Sequence, residues 1–140
     1  MSAVGGSRFR RITVEALPGR LAEIRRFVEE IGVEARLDPS RVFDLKVAVS
    51  EACANAVEHS GGTHAPLEVC AWLHADRLVV EINDSGDFRL PRVERGPLAE
   101  SRGLGLPLMV ALTDEVRISK LPEGGTAVTL SVLLGQNGIG

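Results

Sequence analysis

An α+β domain, built as a sheet covered on one face by helices, is the fold class this sequence predicts, and three observations predict it. Three stretches carry apolar residues at helical offsets, five read as strands, and four of those strands fall into two hairpins. The order is strand, helix, helix, hairpin, long loop, helix, hairpin, which fits two packed layers around one core. The 140 residues suffice for one domain, and the 44% hydrophobic content fills a core of that size.

Taken in order, residues 1–7 are small and Gly-rich and are expected to form a flexible tail. Residues 8–16 alternate, with Phe9, Ile12 and Val14 among polar neighbours, and read as a strand at an edge. Pro18-Gly19 breaks it. Leu21, Ile24, Phe27, Val28 and Ile31 then follow helical offsets, with Gly32 expected as the stop. Asp38-Pro39-Ser40 reads as an N-cap with Pro in the first turn. The stripe Val42, Leu45, Val49, Ala52, Ala56 carries a second helix to about His59, before Ser60-Gly61-Gly62.

Residues 67–74 and 77–83 form a hairpin around Ala75-Asp76. Residues 85–102 hold two prolines and little periodicity. They read as a long mobile loop, and a loop of that length in a compact domain is often a functional lid. Residues 103–112 form a short helix, and residues 115–121 and 126–134 a second hairpin across Pro122-Glu123-Gly124-Gly125. A single domain is expected over 8–134, with 135–140 as a second flexible tail.

The composition excludes several classes of function. The net charge is −3, with charged residues at 25% and both signs spread along the chain, the profile of a soluble globular protein. No Lys/Arg run exceeds two residues, so the basic face that a nucleic-acid binder uses to displace counterions is missing. Arg8, Arg10 and Arg11 read as the outer side of an edge strand. Cys53 and Cys70 lack metal-like spacing and read as two buried thiols in a reducing compartment. With neither a signal peptide nor a membrane span, the expected location is cytoplasmic.

Four short elements carry the candidate chemistry. Glu51, Asn55 and His59 are four apart and share one helix face. A mid-helix Asn is a mediocre helix former, and its amide oxygen suits Mg²⁺. Asp84-Ser85-Gly86 closes a strand. There a carboxylate can accept from the exocyclic amine of adenine and a glycine lets a flat base approach. Arg102-Gly103-Leu104-Gly105 opens the short helix, where bare N–H groups and the helix dipole favour phosphate. Gly124-Gly125-Thr126 leads into the last strand and offers a hydroxyl. Taken singly, each is also what a solvated helix face or an ordinary turn looks like.

Their order and spacing are more specific. Helix Glu-x-x-x-Asn, strand-end Asp-x-Gly, long loop, Gly-x-Gly helix start and turn Gly-Thr resemble the N, G1, G2 and G3 boxes of the Bergerat (GHKL) ATPase superfamily. The resemblance runs from about residue 10 to 134. LKVAVSEACANAVEHS and GLGLPLMVALTDEV are most similar to the bacterial anti-sigma factor serine/threonine kinases. It implies a two-layer α/β sandwich with a mixed, mostly antiparallel sheet and helices on one face.

The resemblance also implies roles. Asn55 would coordinate Mg²⁺. Asp84 would bind the adenine amine of ATP, with Gly86 beside the base. Gly103 and Gly105 would let the lid and helix start wrap the phosphates. Thr126 would lie at the adenine end or near the phosphate-side water network. Glu51 would act as general base toward the attacking hydroxyl. His59 would support the site or cap its helix, and Arg102 or Arg95 would reach the terminal phosphate. One departure stands out: the fuller pattern Asp-x-Gly-x-Gly has Phe88 at its last position here.

The function so implied is an ATP-dependent protein serine kinase that phosphorylates an anti-sigma factor antagonist and sequesters a sigma factor, as a homodimer, to regulate transcription. The alternative is a nucleotide-binding module that acts by sequestration without turnover. A histidine kinase catalytic domain is disfavoured, since His64 and His74 fall in a loop and a strand rather than on a dimerisation helix.

Overall fold

A computed structural model describes residues 8–59, 65–84, 105–122 and 124–134. Five strands form one sheet: β1 (Arg8–Glu15), β2 (Pro66–Leu73), β3 (Arg77–Asp84), β4 (Glu115–Lys120) and β5 (Thr126–Leu133). Their spatial order is β1-β2-β3-β5-β4, and every pairing is antiparallel. The expected mostly antiparallel sheet is therefore found, with β1 at an edge. Helices α1 (Leu21–Glu34), α2 (Pro39–His59) and α3 (Gly105–Leu112) complete the two layers. No helix among the described residues is long and apolar enough to cross a membrane. The expected lid at 85–102 and both tails lie outside the described residues.

Strand alternation explains which face the helices cover. Val14, Leu67, Val69, Ala71, Leu78, Val80, Ile82, Val128, Leu130 and Val132 are all buried, and the pairing register sets them side by side on one face. Against them pack Ile24, Val28 and Ile31 of α1 and Val42, Leu45, Val49, Ala52 and Ala56 of α2. These are the stripes that the 3.6-residue period predicts. A buried Leu or Ile contributes roughly 1.5–3 kcal/mol, so this single cluster supplies the main driving force.

The other sheet face carries Phe9 against Trp72, with ring centroids 5.3 Å apart, and the polar set Arg11, Glu68, Asn83 and Glu81. Phe9 is odd in number while Ile12 and Val14 are even, which separates the strand's apolar residues between the two faces. Both cysteines are free and buried, as expected.

The turns follow from local chemistry. The Asp38 carbonyl accepts from the N–H of Arg41 and of Val42, both at 2.9 Å, opening α2 where the Asp-Pro signal predicts. His74 N–H donates to the Arg77 carbonyl at 2.9 Å and closes the first hairpin. Gly124 and Gly125 sit at φ 94° and 103° in the second, a region that side chains rarely tolerate.

One expectation is overturned. Gly32 does not stop α1, which continues to Glu34, and the chain reverses with Arg36 at φ 62°. Gly32 is instead buried where α1 meets α2, and a Cβ there would come within 3.0 Å of Val42 Cγ2. The glycine serves close helix packing rather than termination. At the same end, Glu34 joins α1 to the edge strand through Arg8 and Arg10.

Two predictions follow from this packing. Gly32→Leu should lower stability by about 1–3 kcal/mol through crowding against Val42, read as a lower urea midpoint. The hydrogen bond from Arg8 holds the Glu34 carboxyl below its usual range, with the Arg10 charge adding to the effect. A carboxylate so depressed stabilises the fold above its unfolded pKa, and the contribution is lost as pH falls through the folded value. Glu34→Gln should therefore lower the melting temperature at neutral pH, and the difference from wild type should shrink as pH falls below the usual carboxylate range.

Candidate functional site

The site is assembled by α2. Arg41, Ala48 and Asn55 are seven residues apart, two helical turns each, and so share one flank. That flank faces α3, because Arg41 Nη2 donates to Asp114 Oδ2, two residues past the α3 end, at 2.9 Å. Ala48 is fully buried there, and its small side chain lets α3 come close. Glu51 lies one turn from Asn55 on the same side. Both are half-buried.

The same arginine sets the level of the helices on the sheet. Arg41 Nη1 donates to the Leu133 carbonyl, at the end of β5, at 3.1 Å. From Leu133 back to Thr126 the strand rises about 23 Å. From Arg41 to Asn55 the helix rises about 21 Å. Thr126 is the register partner of Asp84, which is the partner of Leu67, so these three sit in one row across β2, β3 and β5. Asp84 is in phase with the buried Leu78, Val80 and Ile82, which turns it toward the helical layer at the rim of the core. Thr126 beside it is buried, 3% exposed.

The third component is the start of α3. With its exit held at Arg41, α3 packs beside α2, and its eight residues span about 12 Å. The N–H groups of the first helical turn have no intrahelical partner, so a helix start of this kind offers donors to an anion.

Of the residues singled out in the sequence, Asp84 and Thr126 are register partners on β3 and β5, Glu51 and Asn55 lie one turn apart on α2, and Gly105 opens α3. Gly86, Arg95, Arg102 and Gly103 lie outside the described residues, as does the His59 side chain. Cys53, on α2 behind this row, is no candidate nucleophile: burial pushes its thiol up to about 12. Among the described residues, no three His, Cys, Asp or Glu side chains gather as a metal site. The Asn55 amide offers a hard oxygen donor on the half-buried flank of α2. It fits an ion such as Mg²⁺, which keeps waters and shares phosphate oxygens.

Arg41 and Asp114 escaped the sequence reading. A signal for Arg41 was available, since a cation in the first turn opposes the helix dipole and so implies another partner.

Chemically, the arrangement offers an acceptor carboxylate at the rim of an apolar wall, N–H donors at a helix start, a hard amide oxygen and a second carboxylate one turn away. Comparison with known proteins points the same way. The Bacillus subtilis (strain 168) serine-protein kinase RsbW is 32% identical over 134 residues, covering 86% of this chain and 82% of that protein. The anti-sigma F factor of Caldanaerobacter subterraneus subsp. tengcongensis is 29% identical over 114 residues, 74% of this chain and 79% of that one. A Mycobacterium tuberculosis crystal structure of RsbU and RsbW domains superposes with a TM-score of 0.69 at 27% identity, covering 90% of this chain but 32% of that longer one. The SiaB–SiaC complex of Pseudomonas aeruginosa shares the fold, with a TM-score of 0.63 at 12% identity over 88% of each chain. Residues 14–132 match the histidine kinase-like ATPase domain, and the chain belongs to that family.

Proposed function

We propose that this chain binds Mg-ATP and acts as a protein serine kinase of the anti-sigma factor type, phosphorylating an antagonist protein and sequestering a sigma factor. The observation that carries this reading is the Asp84–Thr126 register pair at the end of the sheet, together with Glu51 and Asn55 one turn apart on α2. The names of its relatives, a serine-protein kinase and an anti-sigma factor, support the same reading. A homodimer in the cytoplasm belongs to it.

Each side chain has a task under this reading. Asp84 accepts a hydrogen bond from the exocyclic amine of adenine, whose apolar faces suit the wall beside Leu67. Thr126, directly opposite Asp84, lends its hydroxyl at the adenine end. The free N–H groups at Gly105 bind phosphate oxygens, aided by the helix dipole. Gly86, Gly103 and Arg102 complete the enclosure in the roles that the family resemblance gives them. When bound, Mg²⁺ would supply neutralisation of charge across the β- and γ-phosphate oxygens, and Asn55 is the residue that would hold it.

Glu51 takes the proton. The serine hydroxyl oxygen bonds to the γ-phosphorus as the bond from phosphorus to the β–γ bridging oxygen breaks. ADP leaves with that electron pair, and the hydroxyl proton moves to a Glu51 oxygen. A loose phosphoryl-transfer transition state asks mostly for positioning and charge stabilisation, which a carboxylate one turn from the metal-holding amide provides.

Calorimetric titration of Mg-ATP tests the site. Wild type should bind, and Asn55→Ala and Asp84→Asn should each weaken binding by about tenfold or more. An absence of binding to wild type would remove the nucleotide reading. Glu51→Gln should keep ATP affinity within about twofold while phosphate transfer to the antagonist falls by about a hundredfold or more. Undiminished transfer in that variant would take the proton-accepting role away from Glu51. Wild-type binding without any transfer would favour the sequestration module.

A further inference from the structure

We propose that Arg41 and Asp114 are positioning residues for the phosphate end of the nucleotide site, acting by holding α3 at one level beside α2. The inference rests on the nucleotide reading above and adds a residue pair that lies well away from the site. Ten residues of α2, about 15 Å, separate Arg41 from Glu51, so neither member of the pair touches a nucleotide bound there.

The geometry of the pair is that of a three-way clamp. One arm of the Arg41 guanidinium donates to the Leu133 carbonyl at 3.1 Å and another to Asp114 Oδ2 at 2.9 Å. The same Asp114 oxygen accepts the Leu133 N–H at 2.7 Å, and Asp114 N–H donates to the Ser131 carbonyl at 2.9 Å. The start of α2, the exit of α3 and the end of β5 are thereby joined through one planar, forked donor. A lysine, as a point charge on a flexible stem, cannot reproduce that fork.

Stability alone is a poor account of this arrangement. The side chains are 36% and 39% exposed, where ion pairs contribute little. Arg41 also sits in the first turn of α2, the positive end of the helix dipole, where a cation is disfavoured. What the clamp does supply is a fixed point for a helix that cannot fix itself. Eight residues make about two turns, too few for a helix to persist alone. Met109 is its one fully buried side chain, 2% exposed. Thr113 closes its C-terminal turn onto the Met109 carbonyl through both N–H and Oγ1. With Met109 as pivot, a shift at Asp114 is returned at Gly105 on the other side, where the donors to phosphate lie. Small displacements of such donors are costly, because oriented contacts lose their value steeply with position.

The test separates the two ends of the nucleotide. Adenosine and Mg-ATP are titrated calorimetrically into wild type, Arg41→Met, Asp114→Asn, the double variant and Arg41→Lys, with thermal melts on each. Arg41→Met and Asp114→Asn should bind adenosine within about twofold of wild type and Mg-ATP about tenfold more weakly. The double variant should be no worse than either single one, since the two side chains act as a unit, and Arg41→Lys should recover part of the loss. An equal loss for adenosine and Mg-ATP would overturn the proposal in favour of general loosening. Unchanged Mg-ATP affinity in folded variants would overturn it outright. Should Arg41→Met lose its cooperative melt, Asp114→Asn and Arg41→Lys carry the same comparison. Wild type binding neither ligand would refute the nucleotide reading and this proposal with it.

Discussion

Burial of one face of α2 is the constraint on which the rest of the structure depends. Leu45, Val49, Ala52 and Ala56 must leave water, and the sheet is the surface broad enough to receive them. Once that face is down, the remaining sides of the helix are assigned. Lys46, paired with Glu29 at 3.1 Å, and Val42, against Gly32, turn to α1. Ala48 and Arg41 turn to α3. Glu51 and Asn55 are left on the same flank of α2, half-buried. Polar groups there keep access to solvent and ligand while their backbone is held by the core.

The sheet contributes an edge effect of the same kind. A carboxylate on the core face of a central strand would be costly in the middle of the layer, where water cannot reach it. Asp84 follows Leu78, Val80 and Ile82 in phase but comes last, at the rim, so it can face inward and still be solvated. Its register partner Thr126 starts β5 and is shielded by its neighbours. The candidate site thus includes the rim where the core face of the sheet runs out of apolar residues.

The opposite sheet face shows how different the two surfaces of one strand can be. Arg11, Cys70 and Glu81 are register partners across three strands, with Glu68 and Asn83 beside them, and Phe9 meets Trp72 at one end. Cys70 is buried among these neighbours, and desolvation, with the nearby Glu68 and Glu81 charges adding to it, pushes its thiol up to about 11. Both cysteines are therefore poor nucleophiles at neutral pH, and reactivity in this molecule belongs to oxygen and nitrogen groups.

Taken by itself, the sequence determined the elements and their chemistry. The helical stripes, the two hairpins and the Asp-Pro helix start are local patterns, set by periodicities of 3.6 and 2 and by turn residues, and each is found within a residue or two. The sharing of one helix face by Glu51 and Asn55 is equally local, since four residues make about one turn. Anything that depends on distance between elements emerges only in the folded chain. Gly32 read as a stop because glycine often ends helices, but its reason is Val42 on another helix, which no local pattern reveals. The pairing of Asp84 with Thr126 required the order β3-β5-β4, in which the last strand inserts beside β3 rather than following β4 outward. The level at which α2, α3 and the sheet meet required Arg41 to reach both Asp114 and Leu133, residues 73 and 92 positions away. Side-chain periodicity is written in neighbouring residues, whereas register between layers arises only when the whole core packs.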